Sequence, residues 1–344
     1  MRHLYQQKSF SVAPMMDMTD RHCRAFLRLF SPNFRLYTEM VVAGSIIYGD
    51  RQRFLGFDVS EHPVALQLGG NDAAKLAMCA QLGQEWGYDE INLNVGCPSS
   101  RVKDAQFGAC LMAKPRLVAE CVQTMIESVT IPITVKCRTG IDNLDSYEFL
   151  KSFIETVAQS GCKRFIIHAR KAWLTGLSPK ENRTIPPLHY ETVYQLKQDY
   201  PEFNIVINGG ITNIHEIERH LYYTDGVMLG RQAYHNPWLL QEIDRHFFTD
   251  DESNIERYPD RVSIVNAYLP YIQTQLAQGV FLRHMTRHML SLFHGQPGAK
   301  SWRRYLSSHG SKKHAGPEVI FEALKFVDNK NDSLCDEYLV CEYA

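Results

Sequence analysis

Residues 91–112 read INLNVGCPSSRVKDAQFGACLM, and they hold the unit from which most of the chain is built: a short strand, a polar loop and the start of a helical run. Asn92 and Asn94 alternate with apolar residues, at the two-residue period of a strand. Gly96-Cys97-Pro98 ends it, because proline gives no N–H to a ladder and restricts the residue before it. A cysteine at a strand end, followed by Ser99, Ser100 and Arg101, is presented rather than packed away, and thiol chemistry depends on access and on charged neighbours. The competing reading is a small apolar filler, since free cysteines are among the most buried residues. Cys110, expected at the start of the next helix, takes that second reading.

The same unit recurs outward from this stretch. Short apolar or β-branched runs at 11–16, 36–42, 64–68, 91–95, 133–137, 164–169, 204–208 and 226–229 read as strands buried on both faces. Helical periodicity fills the gaps: a run capped by Thr19, then 72–85, 115–128 with proline in its first turn, 145–160 and 213–221. Eight strands alternating with helices predict a (β/α)8 TIM barrel, with a doubly wound open sheet as the alternative.

A barrel gathers its functional groups at the C-terminal ends of its strands. Those ends carry Met15 to Asp17, Glu39, Gln67, Asn94 with Cys97, Lys136 with Arg138, His168 with Arg170, Asn208, and Gly230 with Arg231. Any one of them could be an ordinary loop residue; as a ring around one mouth they predict an active site. Asn208-Gly209-Gly210 and Gly230-Arg231 fall after the last two strands, where barrels often bind phosphate through backbone N–H groups. Glycine permits close approach, and Arg231 offers a bidentate donor. Lys136 alone would also suit a Schiff-base aldolase, since lysines at strand ends do that chemistry.

The composition narrows the class. The 344 residues are 44% apolar and 22% charged, ordinary for a globular protein. No run approaches the roughly 18 apolar residues of a membrane span, and the polar MRHLYQQKSF start predicts no secretory leader. Nine cysteines without a C-x-x-C pair favour a reducing cytoplasm over a disulfide framework or a structural zinc site. Nothing suggests a stable protein partner, so a monomer is the default expectation. Domain boundaries are expected as a barrel over 1–248, an acidic linker over 249–262, a smaller all-helical domain over 263–328 and a polar tail over 329–344.

A formal net charge of −1 announces no polyanion partner, but local charge does. From Arg283 to Pro317 there is no Asp or Glu, against seven Lys or Arg and five His, with Phe293, Trp302 and Tyr305 among them. Arg283, His284, Arg287 and His288 recur at helical spacing and can share a face. A solvated basic face is the bland reading. In a nearly neutral chain the cluster suits a nucleic-acid backbone, with aromatics for stacking.

Several longer stretches together resemble one family. NVGCPSSRV, FGACLM, PITVKCRTGID, IIHARKAW, INGGI and HMTRHMLSLFHGQPGAKSWRRYL are closely similar to the tRNA-dihydrouridine synthases, in detail their subfamily A, from about Ser11 to Leu306. The resemblance implies an FMN-binding barrel with a helical domain that reduces the C5–C6 double bond of D-loop uridines in tRNA, at positions 20 and 20a, with NADPH as reductant. It implies that Ala13, Pro14 and Met15 lie along the flavin. It places Gln67, Lys136 and His168 at the ring and ribityl parts, and Asn208, Gly209, Gly210, Gly230 and Arg231 at the phosphate. Cys97 matches the acid that protonates C5; free thiols, with an ordinary pKa of about 8.5, are mostly protonated at neutral pH. Asn94, Lys180, Arg183, Lys300 and Arg303 match positions that touch tRNA. Two positions depart from the subfamily pattern: Ala105 replaces a glycine, which matters if that residue needs φ > 0, and Lys300 replaces an arginine, losing bidentate geometry. The rivals are a flavin barrel acting on free pyrimidines and a non-catalytic tRNA-binding protein of the same fold.

Overall fold

Eight parallel strands close into a barrel in the computed structural model, which describes residues 7–248 and 258–327. They are β1 (Ser9–Val12), β2 (Arg35–Val42), β3 (Val64–Gly69), β4 (Glu90–Val95), β5 (Ile133–Arg138), β6 (Arg164–His168), β7 (Asn204–Asn208) and β8 (Gly226–Leu229). Their order around the barrel is their order in the chain, and β8 closes on β1 with Ser9 opposite Gly226 and Val12 opposite Leu229. The TIM-barrel expectation holds, and the open sheet is excluded.

The strands are buried on both sides for different reasons. Ile91, Leu93 and Val95 on β4 are fully buried, as are Val135 and Cys137 on β5. Each such aliphatic side chain contributes about 1.5–3 kcal/mol by leaving water. The residues between them, Glu90, Asn92 and Thr134, are polar and also fully buried, so the pattern is alternating rather than continuously apolar. They are joined to one another by side-chain hydrogen bonds, which is the condition under which polar groups are tolerated inside. At the N-terminal end of the barrel the Glu90 carboxylate meets Arg35 at 2.6 Å and Arg164 at 3.4 Å. Tyr37 donates to it at 2.5 Å.

Helix starts follow local capping. Asp72 accepts from the Lys75 amide ahead of Ala73–Glu85, Ser146 from Phe149 ahead of Tyr147–Ala158, and Asn213 from Glu216 ahead of Ile214–Tyr223. Four expectations change. β1 ends at Val12 rather than 16, because Pro14 cannot extend the ladder. The following helix is Arg21–Arg28; the Cys23 amide donates to Asp20, while Thr19 folds back onto Met15. Cys110 is half-buried in a 3-10 turn, Gly108–Ala113, that precedes the helix Pro115–Ser128. The segment after β6, for which no helix is expected from periodicity, holds a 3-10 turn, Glu181–Arg183, and the helix Tyr190–Asp199.

The chain divides into two compact units, Met1–Arg24 with Pro32–Gln232, and Ala25–Ser31 with Ala233–Ala344. The second unit takes residues 233–248, which composition assigned to the barrel. Its apolar contacts explain why: Phe30 packs edge-on to Trp238, Phe26 packs on Tyr268, and Arg261 sits 4.5 Å over Trp238. The helix Arg261–Ala277 starts inside the expected linker, because Asp260 and Ser263 form a capping box. Residues 249–257 of that linker, residue 328 at the end of the expected helical domain, and the tail over 329–344 lie outside the described residues. Trp302, fully buried, donates its Nε1–H to the Met289 carbonyl and centres the helix Ala299–His309. No helix among the described residues is long and apolar enough to cross a membrane.

Candidate active site

The turn carrying Cys97 is held from three directions. Asn94, the last inward residue of β4, accepts at Oδ1 from the amides of Gly96 (3.1 Å) and Cys97 (2.9 Å), an Asx turn that mimics a backbone turn. The Cys97 carbonyl accepts from the Ala109 amide at 2.9 Å, tying the strand end to Gly108–Ala113. Arg138, at the end of β5, donates Nε–H to the Gly96 carbonyl at 2.8 Å and reaches the carbonyls of Lys171 and Asn182, each at 3.1 Å. Cys97 itself is half-buried.

Across the mouth, Lys136 on β5 donates Nζ–H to Asn208 Oδ1 on β7 at 3.0 Å, and Asn208 donates to the Met228 carbonyl of β8 at 2.7 Å. Burial pulls the Lys136 ammonium down to about 8, with Arg138 adding repulsion. Burial, with Arg138 and Lys136 beside it, holds the His168 imidazole well below its usual range, so it is neutral at pH 7. Its Nδ1 is buried without a hydrogen-bond partner. Gln67 on β3 uses both ends of its amide, accepting from Asn94 and donating to Asn92 at 2.8 Å each. Ala13 extends the β1–β8 pairing by donating to the Leu229 carbonyl, and Pro14 and Met15 follow half-buried, the Met15 amide bonded to Thr19.

The glycines divide into two kinds. Gly209 and Gly210 have φ of 116° and 74°, which non-glycine residues rarely adopt. A Cβ on Gly210 would lie 2.6 Å from Leu188 and 2.7 Å from the Tyr190 hydroxyl, so the helix Tyr190–Asp199 and its approach occupy that side. Tyr190 also donates to the Gly209 carbonyl at 2.8 Å. At Gly230, by contrast, an added Cβ would meet nothing within 4 Å: the backbone after β8 borders open space. Arg231 follows it and donates to the Arg183 carbonyl at 3.2 Å. Burial and Arg231 together lower Arg183; burial lowers Arg170, with Arg231 adding to it. The recorded side-chain partners of Lys136, Arg138, Arg170 and Arg231 are carbonyls and one amide oxygen, not carboxylates.

The expected RNA contacts are placed unevenly. Lys180, just before the turn Glu181–Arg183, and Arg183 within it have exposed surface. That turn is pinned by buried Asn182, which brackets Trp173 through both its N–H and its carbonyl. Asn94 is 8% exposed and lies at the Cys97 turn rather than on the outer rim. In the second unit Lys300 and Arg303 are exposed on Ala299–His309. The shared basic face on Arg283–Met289 is incomplete, because His288 is buried and bonds Tyr234. Ala105 has φ −81°, so the missing glycine costs nothing there; the left-handed residue is its neighbour Gln106, at 58°.

Arg138, Asn182 and Tyr190 do not stand out as a set from sequence. Arg138 was visible at a strand end, but its role depends on carbonyls from two other segments.

A half-exposed thiol, a buried lysine, a neutral histidine and several arginines, all at the strand ends of one barrel, mark the mouth of a barrel enzyme. The profile of the family described as Dihydrouridine synthase (Dus) matches residues 11–329. The chain belongs to the dihydrouridine synthase family. It is similar to proteins named tRNA-dihydrouridine(20/20a) synthase: 56% identical over 328 residues to one from Escherichia coli, covering 95% of this chain and 98% of that protein. A second, from Salmonella typhimurium, is 57% identical over 322 residues, covering 93% and 96%. A third, from Synechocystis sp., is 58% identical over 315 residues, covering 92% and 93%.

Proposed function

We propose that this chain reduces the C5–C6 double bond of D-loop uridines 20 and 20a in tRNA to 5,6-dihydrouridine, with FMN as bound cofactor, NADPH as reductant and Cys97 as proton donor. The observation that carries this reading is the Cys97 turn, clamped by Asn94 and Arg138 at the rim of a cation-lined mouth. The names of the relatives supply the substrate.

The residues present fit a flavin phosphate and ring. Gly230 borders open space beside Arg231, and His168 keeps a buried nitrogen unpartnered. Gly230, Arg231, Gly209, Gly210 and Asn208 would hold the phosphate end; Ala13 to Met15, Gln67, Lys136 and His168 would hold the rest. Bound there, the flavin supplies the hydride. Lys136, cationic below about 8, stabilises negative charge on its neighbour. His168, neutral, offers one ring N–H or lone pair without adding charge. Cys97 Sγ delivers its proton to C5, and Asn94 with the turn amides keeps that sulfur in place.

A uridine stacked in folded tRNA must be extruded to reach this mouth, at a cost of a few kcal/mol. Lys180 and Arg183 at the rim, and Lys300 and Arg303 on the second unit, offset it through phosphate contacts. Supplying NADPH and tRNA from cells lacking dihydrouridine, then mapping the added hydrogens by mass, tests the assignment. Product at positions 20 and 20a supports it; activity on free uracil alone would establish the small-molecule rival.

A further inference from the structure

Glu90 lies at the opposite end of the barrel from Cys97, yet an unbroken line of hydrogen bonds joins them. Thr134 donates to Glu90 Oε1 at 2.8 Å; Asn92 donates to Thr134 at 2.8 Å. Gln67 donates to Asn92, and Asn94 to Gln67, again at 2.8 Å. Asn94 then accepts from the Cys97 amide at 2.9 Å. Every side chain between the turn and Glu90 is at most 8% exposed.

The direction of this line is not arbitrary. A primary amide has a donor end and an acceptor end, and nothing in its shape says which way round it sits. The Glu90 carboxylate, paired with Arg35 and Arg164 and receiving Tyr37, only accepts. Thr134 must therefore turn its single O–H toward Glu90 and offer Asn92 only a lone pair. Asn92 must present its NH2 to Thr134 and its oxygen to Gln67, and the same logic orients Gln67 and then Asn94. Reversing any one amide would set donor against donor inside the barrel and leave buried polar groups unmet.

We propose that Glu90 and Thr134 are positioning residues for Cys97: the floor carboxylate sets the orientation of three successive amides, so that Asn94 meets the Cys97 turn with its oxygen. This deepens the proposed function, resting on Cys97 as proton donor. Without the fixed acceptor, Asn94 can present NH2 to the two amide donors of the turn, which expels them and moves the sulfur.

The test compares Thr134→Val with Thr134→Ser in the flavin-loaded protein. Thr134→Val keeps the volume but removes the O–H; Thr134→Ser keeps the O–H. Two readouts are taken: kcat and KM for tRNA, and the rate at which iodoacetamide alkylates Cys97, read on its peptide by mass. Thr134→Val is expected to lower kcat about tenfold or more with KM unchanged, and to change the alkylation rate severalfold. Thr134→Ser should stay within about twofold of wild type in both. Should Thr134→Val not fold, Glu90→Gln, which keeps the shape but not the obligatory acceptor, is expected to show the same pattern. A folded variant that matches wild type in both readouts overturns the proposal; so does an equal loss in Thr134→Ser, which would make packing the cause. Cys97→Ala alongside separates the two ideas: if it stays active, the proton-donor role falls, and the alkylation rates alone judge the line of amides.

Discussion

A methyl group at Gly108 would sit 2.4 Å from Val102 and 2.6 Å from the Cys97 carbonyl, on a backbone with φ of 73°. Both the contact and the dihedral oppose it. Gly108→Ala is therefore expected to cost about 1–3 kcal/mol by denaturant unfolding, and to lower activity more than stability, because the displaced group is the Cys97 turn. The charge of Lys136 gives a second expectation. Its folded value of about 8 lies below the usual 10.5, and an anion bound beside it raises that value. Binding above pH 8 then takes up a proton, so the affinity of the free protein for FMN should fall as pH rises past 8; Lys136→Met should flatten that slope in a flavin titration. Cys97, Lys136 and His168 were legible in the sequence because polar residues at the ends of apolar strands have few structural uses. The Asx turn of Asn94, the three carbonyls of Arg138 and the bracket of Asn182 were not, since each partner arrives through strand register or loop path.

Helices Tyr190–Asp199 and Ile214–Tyr223 meet through a polar contact that titrates. His220 is 2% exposed, and its Nδ1 lies 2.7 Å from the Tyr194 hydroxyl. Burial lowers its imidazole to about 4 from 6.5. The unfolded chain takes up that proton first, so stability should be lost as pH falls from about 6.5 toward 4; His220→Gln should remove that part of the slope in urea midpoints measured across the range. The strands were legible to within a few residues because two-sided burial leaves a strong apolar signal. Tyr190–Asp199 was not, for only Val193, Tyr194 and Leu196 of its ten residues are buried. Capping residues can mislead as well: Thr19 reads as a cap, but Asp20 receives the Cys23 amide.

For the whole molecule, basic residues are shared between the two units, while Cys97 lies in the first alone. The barrel carries Cys97 and the cations of its mouth, while Lys300 and Arg303 ride on Ala299–His309 of the second unit. Replacing both with alanine should weaken tRNA binding across sequences, lower the salt slope by about two, and leave the flavin spectrum unchanged. Composition marked the basic segment but misjudged where the second unit begins. Its core borrows Phe26 and Phe30 from far upstream, a partnership that no local pattern in 233–248 announces. The proposed reaction turns on one sulfur, that of Cys97. Single-turnover reduction of tRNA by wild type and Cys97→Ala, each with flavin and tRNA fully bound, tests it most directly. Dihydrouridine formation slowed about 100-fold or more in Cys97→Ala is the predicted result; formation at the wild-type rate would contradict it.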